Sequence, residues 1–179
     1  MSIPFSVVGA RAAVTGAGSG IGRAICAALA KKGALSILAL DVDSESAQET
    51  ARLCQKISPV CAAEAAHCDA SNSASLRAVL KSTPVDLFCA NAGVATVGDC
   101  SVPDSEWLST WNLNVMQLVW ATDELVPVWR ERGTGGGLLV TASAAGFPQC
   151  FAKWAEHTST AQLPGLVGYS PIARRSFRP

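Results

Sequence analysis

Thr15-Gly16-Ala17-Gly18-Ser19-Gly20-Ile21-Gly22 is the stretch on which the reading of this chain turns. An apolar run over residues 10–14 leads into it, and a helix-compatible run over 23–31 leads out. That order predicts strand, glycine turn, helix. Glycine lets the backbone turn sharply and lets a diphosphate approach with no Cβ in the way. The free N–H groups that open the helix, at the positive end of its dipole, favour an anion. The spacing is specific. A strict G-x-G-x-x-G would require glycine where Ile21 stands, so that fingerprint fails and T-G-x-x-x-G-x-G fits.

Outward from this turn the chain alternates. Gly33 is the expected stop of the first helix, over 20–32. Residues 34–40 are a continuous apolar run that ends in Asp41, the pattern of a strand covered on both faces. Ser44 is the expected cap of a second helix to about Lys56. A third strand is expected over 60–68, and Asp69-Ala70-Ser71-Asn72 then offers cap chemistry for a helix to about Lys81. Residues 85–90 predict a fourth strand, followed by Asn91-Ala92-Gly93. A long helix is expected from Asp104 or Ser105 towards Arg132. Leu108, Trp111, Val115, Leu118, Val119, Leu125, Val126 and Trp129 recur at helical spacing, and Pro127 should bend or end the helix. Residues 138–141 predict a fifth strand that leads into Ala142-Ser143-Ala144-Ala145-Gly146. Strands alternating with helices predict the α/β class: a three-layer α/β/α, Rossmann-type, doubly wound parallel sheet with right-handed crossovers.

Composition agrees with a buried sheet. The 179 residues are 49% hydrophobic and 16% charged, too apolar for disorder and long enough to bury a core. Fourteen basic and fourteen acidic residues cancel, so no bulk field draws the chain to nucleic acid or to an acidic membrane surface. Seven cysteines are scattered with no C-x-x-C pair. They predict reduced, buried thiols, a cytoplasmic setting and no bound metal. No apolar run approaches a membrane span, and no basic start precedes an apolar segment as in a signal peptide.

The glycine turn, Asn91-Ala92-Gly93 and Ser143-Ala144-Ala145-Gly146, in this order, resemble the short-chain dehydrogenase/reductase family over residues 10 to about 147. Ligands of open α/β sheets bind beyond the carboxyl ends of the strands where the strand order reverses, and every candidate falls at such an end. The resemblance implies NAD as cofactor, its diphosphate on Gly16, Ser19, Gly20, Ile21 and Gly22. A carboxylate at Asp41 can accept both ribose hydroxyls and repels a 2′-phosphate, which favours NAD over NADP. Ser19 agrees, because no basic side chain stands in the turn. The resemblance implies that Asp69 bonds the adenine edge with Ala70 beside it, and that Asn91, Ala92 and Gly93 line the cleft. It implies that the backbone of Asn114 holds a water in a proton relay, with Asn112 as a rival in register. Ser143 is implied to be catalytic, bonding and polarising the reacting oxygen of an alcohol or ketone. Plainer readings stand beside these: a solvated strand end or cap at Asp41, an N-cap at Asp69, an ordinary turn at Asn91-Ala92-Gly93, a polar helix face at Asn114 and a hydroxyl in a tight turn at Ser143. A hydrolase serine is disfavoured, since no G-x-S-x-G elbow surrounds Ser143 and only His67 and His157 could serve it.

The pattern breaks after about residue 147. The family's Tyr-x-x-x-Lys dyad finds no match, because Tyr169, the one tyrosine, is followed four positions on by Ala173. Pro171 stands where the dyad helix would run. An unassisted tyrosine has a pKa of about 10, so about one in a thousand is ionised at neutral pH. Residues 147–179 hold four of the nine prolines, with Arg174, Arg175 and Arg178. The expected organisation is therefore a NAD-binding domain over 1–146 and a divergent, disordered tail over 147–179. The C-terminal strands would be missing, as in the product of an alternative transcript or a shifted reading frame. Two functions compete. One is NAD-dependent hydride transfer between nicotinamide and a secondary alcohol or ketone. The other is a catalytically inactive NAD-binding relative acting as a regulatory or interaction protein. A nucleotide-sugar epimerase is disfavoured by the glycine pattern. The tryptophan-bearing helix over 105–132 suits a homo-oligomer surface, with burial in the core as the plainer reading of its tryptophans.

Overall fold

The structure, a computed structural model, describes residues 5–95 and 102–143 and the backbone of 165–172. In chain order it contains β1 (Arg11–Thr15), α1 (Gly20–Lys31), β2 (Ser36–Asp41), α2 (Ser44–Ile57), β3 (Ala62–His67), α3 (Ser73–Ser82) and β4 (Leu87–Ala90). Then come α4 (Asp104–Trp111), a π-helical turn (Asn112–Met116), α5 (Gln117–Arg132), β5 (Gly136–Ser143) and β6 (Gly165–Ile172). The sheet order is β3-β2-β1-β4-β5-β6. The pairings among β1 to β5 are parallel. The winding runs from β1 outward through β2 and β3, then restarts on the other side of β1 with β4.

Alternation along the strands explains the three layers. Ala12, Val14, Ile37, Ala39, Leu87 and Cys89 face one side, where they pack with Cys26 and Leu29 of α1 and Ala47, Ala51 and Cys54 of α2. Ala13, Leu38, Leu40, Phe88 and Ala90 face the other, with Leu76 and Leu80 of α3 and Ala121, Leu125 and Trp129 of α5. Both faces of each central strand are thus buried, which is why those strands read as unbroken apolar runs. At the end of the sheet remote from the glycine turn, Arg11 grips Asp86 through two 2.7 Å bonds, and Arg132 joins at 3.1 Å. Burial pushes the Asp86 carboxyl up, but the Arg11 bonds and charge outweigh it and hold the group below the ordinary carboxylate range.

Several local expectations need correction. The cap of α2 is Asp43, not Ser44: its Oδ1 accepts the amides of Glu45 and Ser46, both at 3.1 Å. The cap of α3 is Asn72, which accepts the Ser75 amide at 3.1 Å, so Asp69 is not an N-cap. Pro127 does not end α5, which runs on to Arg132. Pro127 and Asp123, whose carbonyl loses its helical partner there, both lie on the exposed side, where water replaces the bond. The expected apolar stripe of the long helix also fails in part. α4 buries nothing, and the buried positions of α5 are Gln117, Ala121, Leu125 and Trp129. The π-helical turn inserts extra backbone between the two helices and breaks their common phase.

β6 is the element that the sequence reading does not anticipate. It pairs antiparallel with β5, placing Tyr169 opposite Leu139 and Pro171 opposite Gly137. As the last strand in the sheet order it tolerates a proline that would exclude a central one. The rest of the expected tail lies outside the described residues. No helix among the described residues is long and apolar enough to cross a membrane.

Trp129 anchors the α5 layer. It is 1% exposed, and its Nε1 donates to the Val85 carbonyl at 2.6 Å. The ring lies so close to β5 that a Cβ on Gly136 would stand 2.0 Å from it. Replacing Gly136→Ala should therefore cost about 2–3 kcal/mol through overpacking, measured by urea unfolding, and a loss under about 0.5 kcal/mol would contradict this packing.

Candidate functional site

A cleft of about 760 Å³ opens at the carboxyl ends of β1, β2, β4 and β5, where the winding reverses. Every expected site residue lines it: Gly16, Ser19, Gly20, Ile21, Gly22, Asp41, Asp69, Ala70, Asn91, Ala92, Gly93, Asn114 and Ser143. Asn112, the rival of Asn114, does not line it. The size lies within the range of small-molecule and cofactor sites.

The glycine turn is fixed by close approach. A Cβ on Gly22 would stand 2.0 Å from the Gly16 carbonyl and 2.7 Å from the Asn91 amide, so only glycine lets α1 start against the end of β1. Gly16 has a φ of 63°, which glycine alone adopts without strain. Ser19 caps α1 with no side-chain bond to it. Ser19, Gly20 and Ile21 are exposed on the cleft, and a Cβ on Gly20 would meet nothing within 4 Å. The first-turn N–H groups lack helical partners by geometry, and Gly20 and Ile21 are exposed at the cleft, a setting suited to an anion.

Carboxylates flank this turn. Asp41 Oδ2 accepts the Gly18 amide at 2.8 Å, and Oδ1 accepts the Asp43 amide at 3.0 Å. Asp41 is thus tied to the turn rather than left as a solvated strand end, and each oxygen keeps lone-pair capacity for a further donor. Asp69 Oδ1 accepts the Ser71 amide at 2.9 Å and the Ser71 hydroxyl at 2.7 Å. Beside it, burial pushes the Cys68 thiol up, which leaves it protonated and a poor nucleophile. Arg23, which the sequence reading passed over, braces the turn from behind. Its guanidinium bonds the Gly18 carbonyl, the Thr50 hydroxyl at 2.9 Å and Glu49 at 3.3 Å.

The far wall is a polar network. Asn91 Nδ2 donates to the Thr15 carbonyl at 3.0 Å, and its Oδ1 accepts the Thr141 hydroxyl at 2.9 Å. One amide therefore joins the ends of β1, β4 and β5. The Thr15 hydroxyl accepts the amides of Asn91 at 3.0 Å and Ala92 at 3.1 Å. Asn114 sits in the π-helical turn, and its side chain both accepts the Val94 amide at 3.0 Å and donates to the Val94 carbonyl at 2.9 Å. It is not merely a solvated helix face. Sequence reading missed Thr15, Thr141 and Gln117 in this network. Gln117 carried no signal of its own in the sequence, because it stands off the expected apolar stripe and only the fold shows it to be the one polar residue among the buried positions of α5.

Ser143 ends β5 and is exposed in the cleft. Position 169, the sole tyrosine, lies on β6 and not on a helix after the serine strand. Among the described residues no cluster of three or more His, Cys, Asp or Glu could hold a metal. A diphosphate matches the open N–H groups of α1, and a ribose matches the spare capacity of Asp41, so the residues present fit an adenine dinucleotide.

Comparison with known proteins adds independent support. The family model for short chain dehydrogenase matches residues 10–160. Human 17-beta-hydroxysteroid dehydrogenase 13 is 31% identical over 161 residues, which are 84% of this chain and 53% of that protein. Galactitol 2-dehydrogenase (L-tagatose-forming) of Cereibacter sphaeroides is 35% identical over 136 residues, 73% of this chain and 52% of that protein. The crystal structure of a short chain dehydrogenase/reductase from Burkholderia phymatum in complex with NAD superposes with a TM-score of 0.73 at 27% identity, over 80% of this chain and 52% of that one. The chain thus spans about half the length of the curated relatives it matches. With the glycine turn, the reversal of winding and the family match over residues 10–160 all in agreement, the chain belongs to the short-chain dehydrogenase/reductase family.

Proposed function

We propose that this chain binds NAD in the cleft and serves hydride transfer between the nicotinamide and a small secondary alcohol or ketone. The observation that carries the reading is the convergence of the open α1 N-terminus and the Asp41 carboxylate on one cleft. The relative crystallised in complex with NAD and the relative named for L-tagatose formation support it.

The amides of Ser19, Gly20, Ile21 and Gly22 hold the diphosphate, helped by the partial charge of about +0.5 at the helix N-terminus. Asp41 accepts the adenosine ribose hydroxyls and disfavours a 2′-phosphate by like charge. Asp69 and Ala70 border the adenine. Asn91, Ala92 and Gly93 form the wall against which the cofactor is oriented. The bound nicotinamide supplies the hydride acceptor or donor. The Ser143 hydroxyl donates to the reacting oxygen and polarises it. In alcohol oxidation the hydroxyl proton must leave, and the backbone of Asn114 holds the water that carries it away.

Free, buried Cys26, Cys54, Cys61, Cys68 and Cys89 support a reducing, cytoplasmic setting. Burial pushes the Cys89 thiol up to about 12, so it stays neutral at any physiological pH. We further read the outer face of α4 as a self-association surface, since Trp107 and Trp111 are 61% and 56% exposed and α4 gives no residue to the core.

Calorimetric titration should show NADH binding at least about tenfold tighter than NADPH, and Asp41→Asn should narrow that gap (one tenfold step is about 1.4 kcal/mol). Binding of neither nucleotide would remove the reading. In an assay over an alcohol and ketone panel, Ser143→Ala should cut turnover by about a hundredfold or more while leaving NADH affinity within twofold. NADH binding without turnover by the unaltered chain would select the inactive-relative reading. Sedimentation across protein concentration should show dimers or larger species that Trp107→Lys with Trp111→Lys converts to monomers, and a monomer at every soluble concentration would refute self-association.

A further inference from the structure

Gln117 is 2% exposed and stands where the π-helical turn passes into α5. The other buried positions of that helix, Ala121, Leu125 and Trp129, are not charged and pack into the core. A primary amide in such a place is costly unless its groups are bonded. They are bonded, and to three separate segments. Gln117 Oε1 accepts the Thr15 hydroxyl at 2.8 Å, and Nε2 donates to the Ala92 carbonyl at 2.5 Å and to the Leu113 carbonyl.

The Thr15 hydroxyl has a single proton. Gln117 Oε1 at 2.8 Å is a better acceptor for it than the Cys89 carbonyl at 3.3 Å. The hydroxyl oxygen is then left to accept the Asn91 and Ala92 amides. A closed ring results: Thr15 donates to Gln117, Gln117 donates to the Ala92 carbonyl, and the Ala92 amide donates back to Thr15. The third bond, to Leu113, fixes the residue beside Asn114, which in turn clasps Val94. Gln117 itself does not line the cleft.

We infer that Gln117 is a positioning residue that sets the Asn91-Ala92-Gly93-Val94 wall and the π-helical turn at a fixed height above the glycine turn, and so holds the cleft in its cofactor-binding shape. The functional half of this inference rests on the dinucleotide reading of the cleft. The ring of bonds stands on geometry alone.

The test compares the unaltered chain with Gln117→Met, which keeps the shape and loses the bonds, and Gln117→Glu, which keeps the shape and turns an oxygen towards two carbonyls. Site-resolved amide hydrogen exchange and NADH affinity are measured on each, with circular dichroism to confirm folding. For Gln117→Met, the amides of residues 91–95 should exchange about tenfold faster while those of α1 and α2 keep their protection, and NADH affinity should fall about tenfold (one tenfold step is about 1.4 kcal/mol). Gln117→Glu should be weaker still. A residue that only fills space would rank the variants by shape, with Glu close to the unaltered chain. Unchanged local exchange in Gln117→Met, exchange that rises evenly over the whole sheet, or faster local exchange with unchanged affinity would each overturn the inference. Should Gln117→Glu fail to fold, the Met variant decides alone. If the unaltered chain binds no NADH, the dinucleotide reading falls, and the exchange at 91–95 still decides whether Gln117 holds the wall.

Discussion

The contact on which the rest depends is the one that a side chain at position 22 would destroy. Gly22 lies so close to the Gly16 carbonyl that a Cβ would stand 2.0 Å from it. That approach seats the first turn of α1 directly against the end of β1. Because α1 begins there, its unbonded N–H groups open at the point where the winding reverses, and not on an outer face of the sheet. The Asp41 carboxylate reaches the Gly18 amide at 2.8 Å from the next strand, so the turn and the carboxylate take one fixed relation before any ligand arrives. Preorganisation of this kind lowers the cost of binding.

Polar groups of the cleft fall into two populations. Thr15, Asn91, Thr141 and Gln117 bond one another and the backbone of three strand ends, which makes them scaffold. Ser19, Gly20 and Ile21 expose backbone at the helix start, and Ser143 is exposed at the end of β5. The first group is hydrogen-bonded throughout, with Thr15 and Gln117 buried and Asn91 and Thr141 half-buried. The second is exposed along the wall of the cleft. The separation explains how one end of a sheet can be both rigid and receptive. At the opposite end, Arg11, Asp86 and Arg132 use their charges on one another.

Much of this was legible in the chain, and particular residues show why. The apolar run before Asp41 announced a strand buried on both faces, and the two core clusters on either side of the sheet are its physical cause. The spacing of Gly16, Gly20 and Gly22 announced a strand, a turn and a helix start, because few backbones other than that one need three glycines so placed. The carboxyl-end rule then brought Asp41, Asp69, Asn91 and Ser143 to one cleft without any distance being known, and Asn114, expected from the resemblance, joins them from the π-helical turn. Cap identity was less legible. Asp43 and Ser44 are both capping residues, and only the backbone path decided that Asp43 turns its oxygen to the Glu45 and Ser46 amides.

Local pattern thus determined the strands β1 to β5, their alternation with helices and the end of the sheet where the site lies, since each depends on periodicity or on a glycine that a short window can reveal. Tertiary structure alone decided what depends on partners far apart in the chain. The π-helical turn shifts the phase between α4 and α5, which no helical wheel drawn on a regular period can foresee. The bond of Thr15 to Gln117 joins residues 102 positions apart, and the pairing of β6 on β5 likewise depends on long-range hydrogen bonds. Nothing in the neighbourhood of either residue in the sequence encodes such a meeting. It arises because the sheet brings the ends of β1 and β4 together beneath α5 and leaves a buried amide with three acceptors and donors to satisfy.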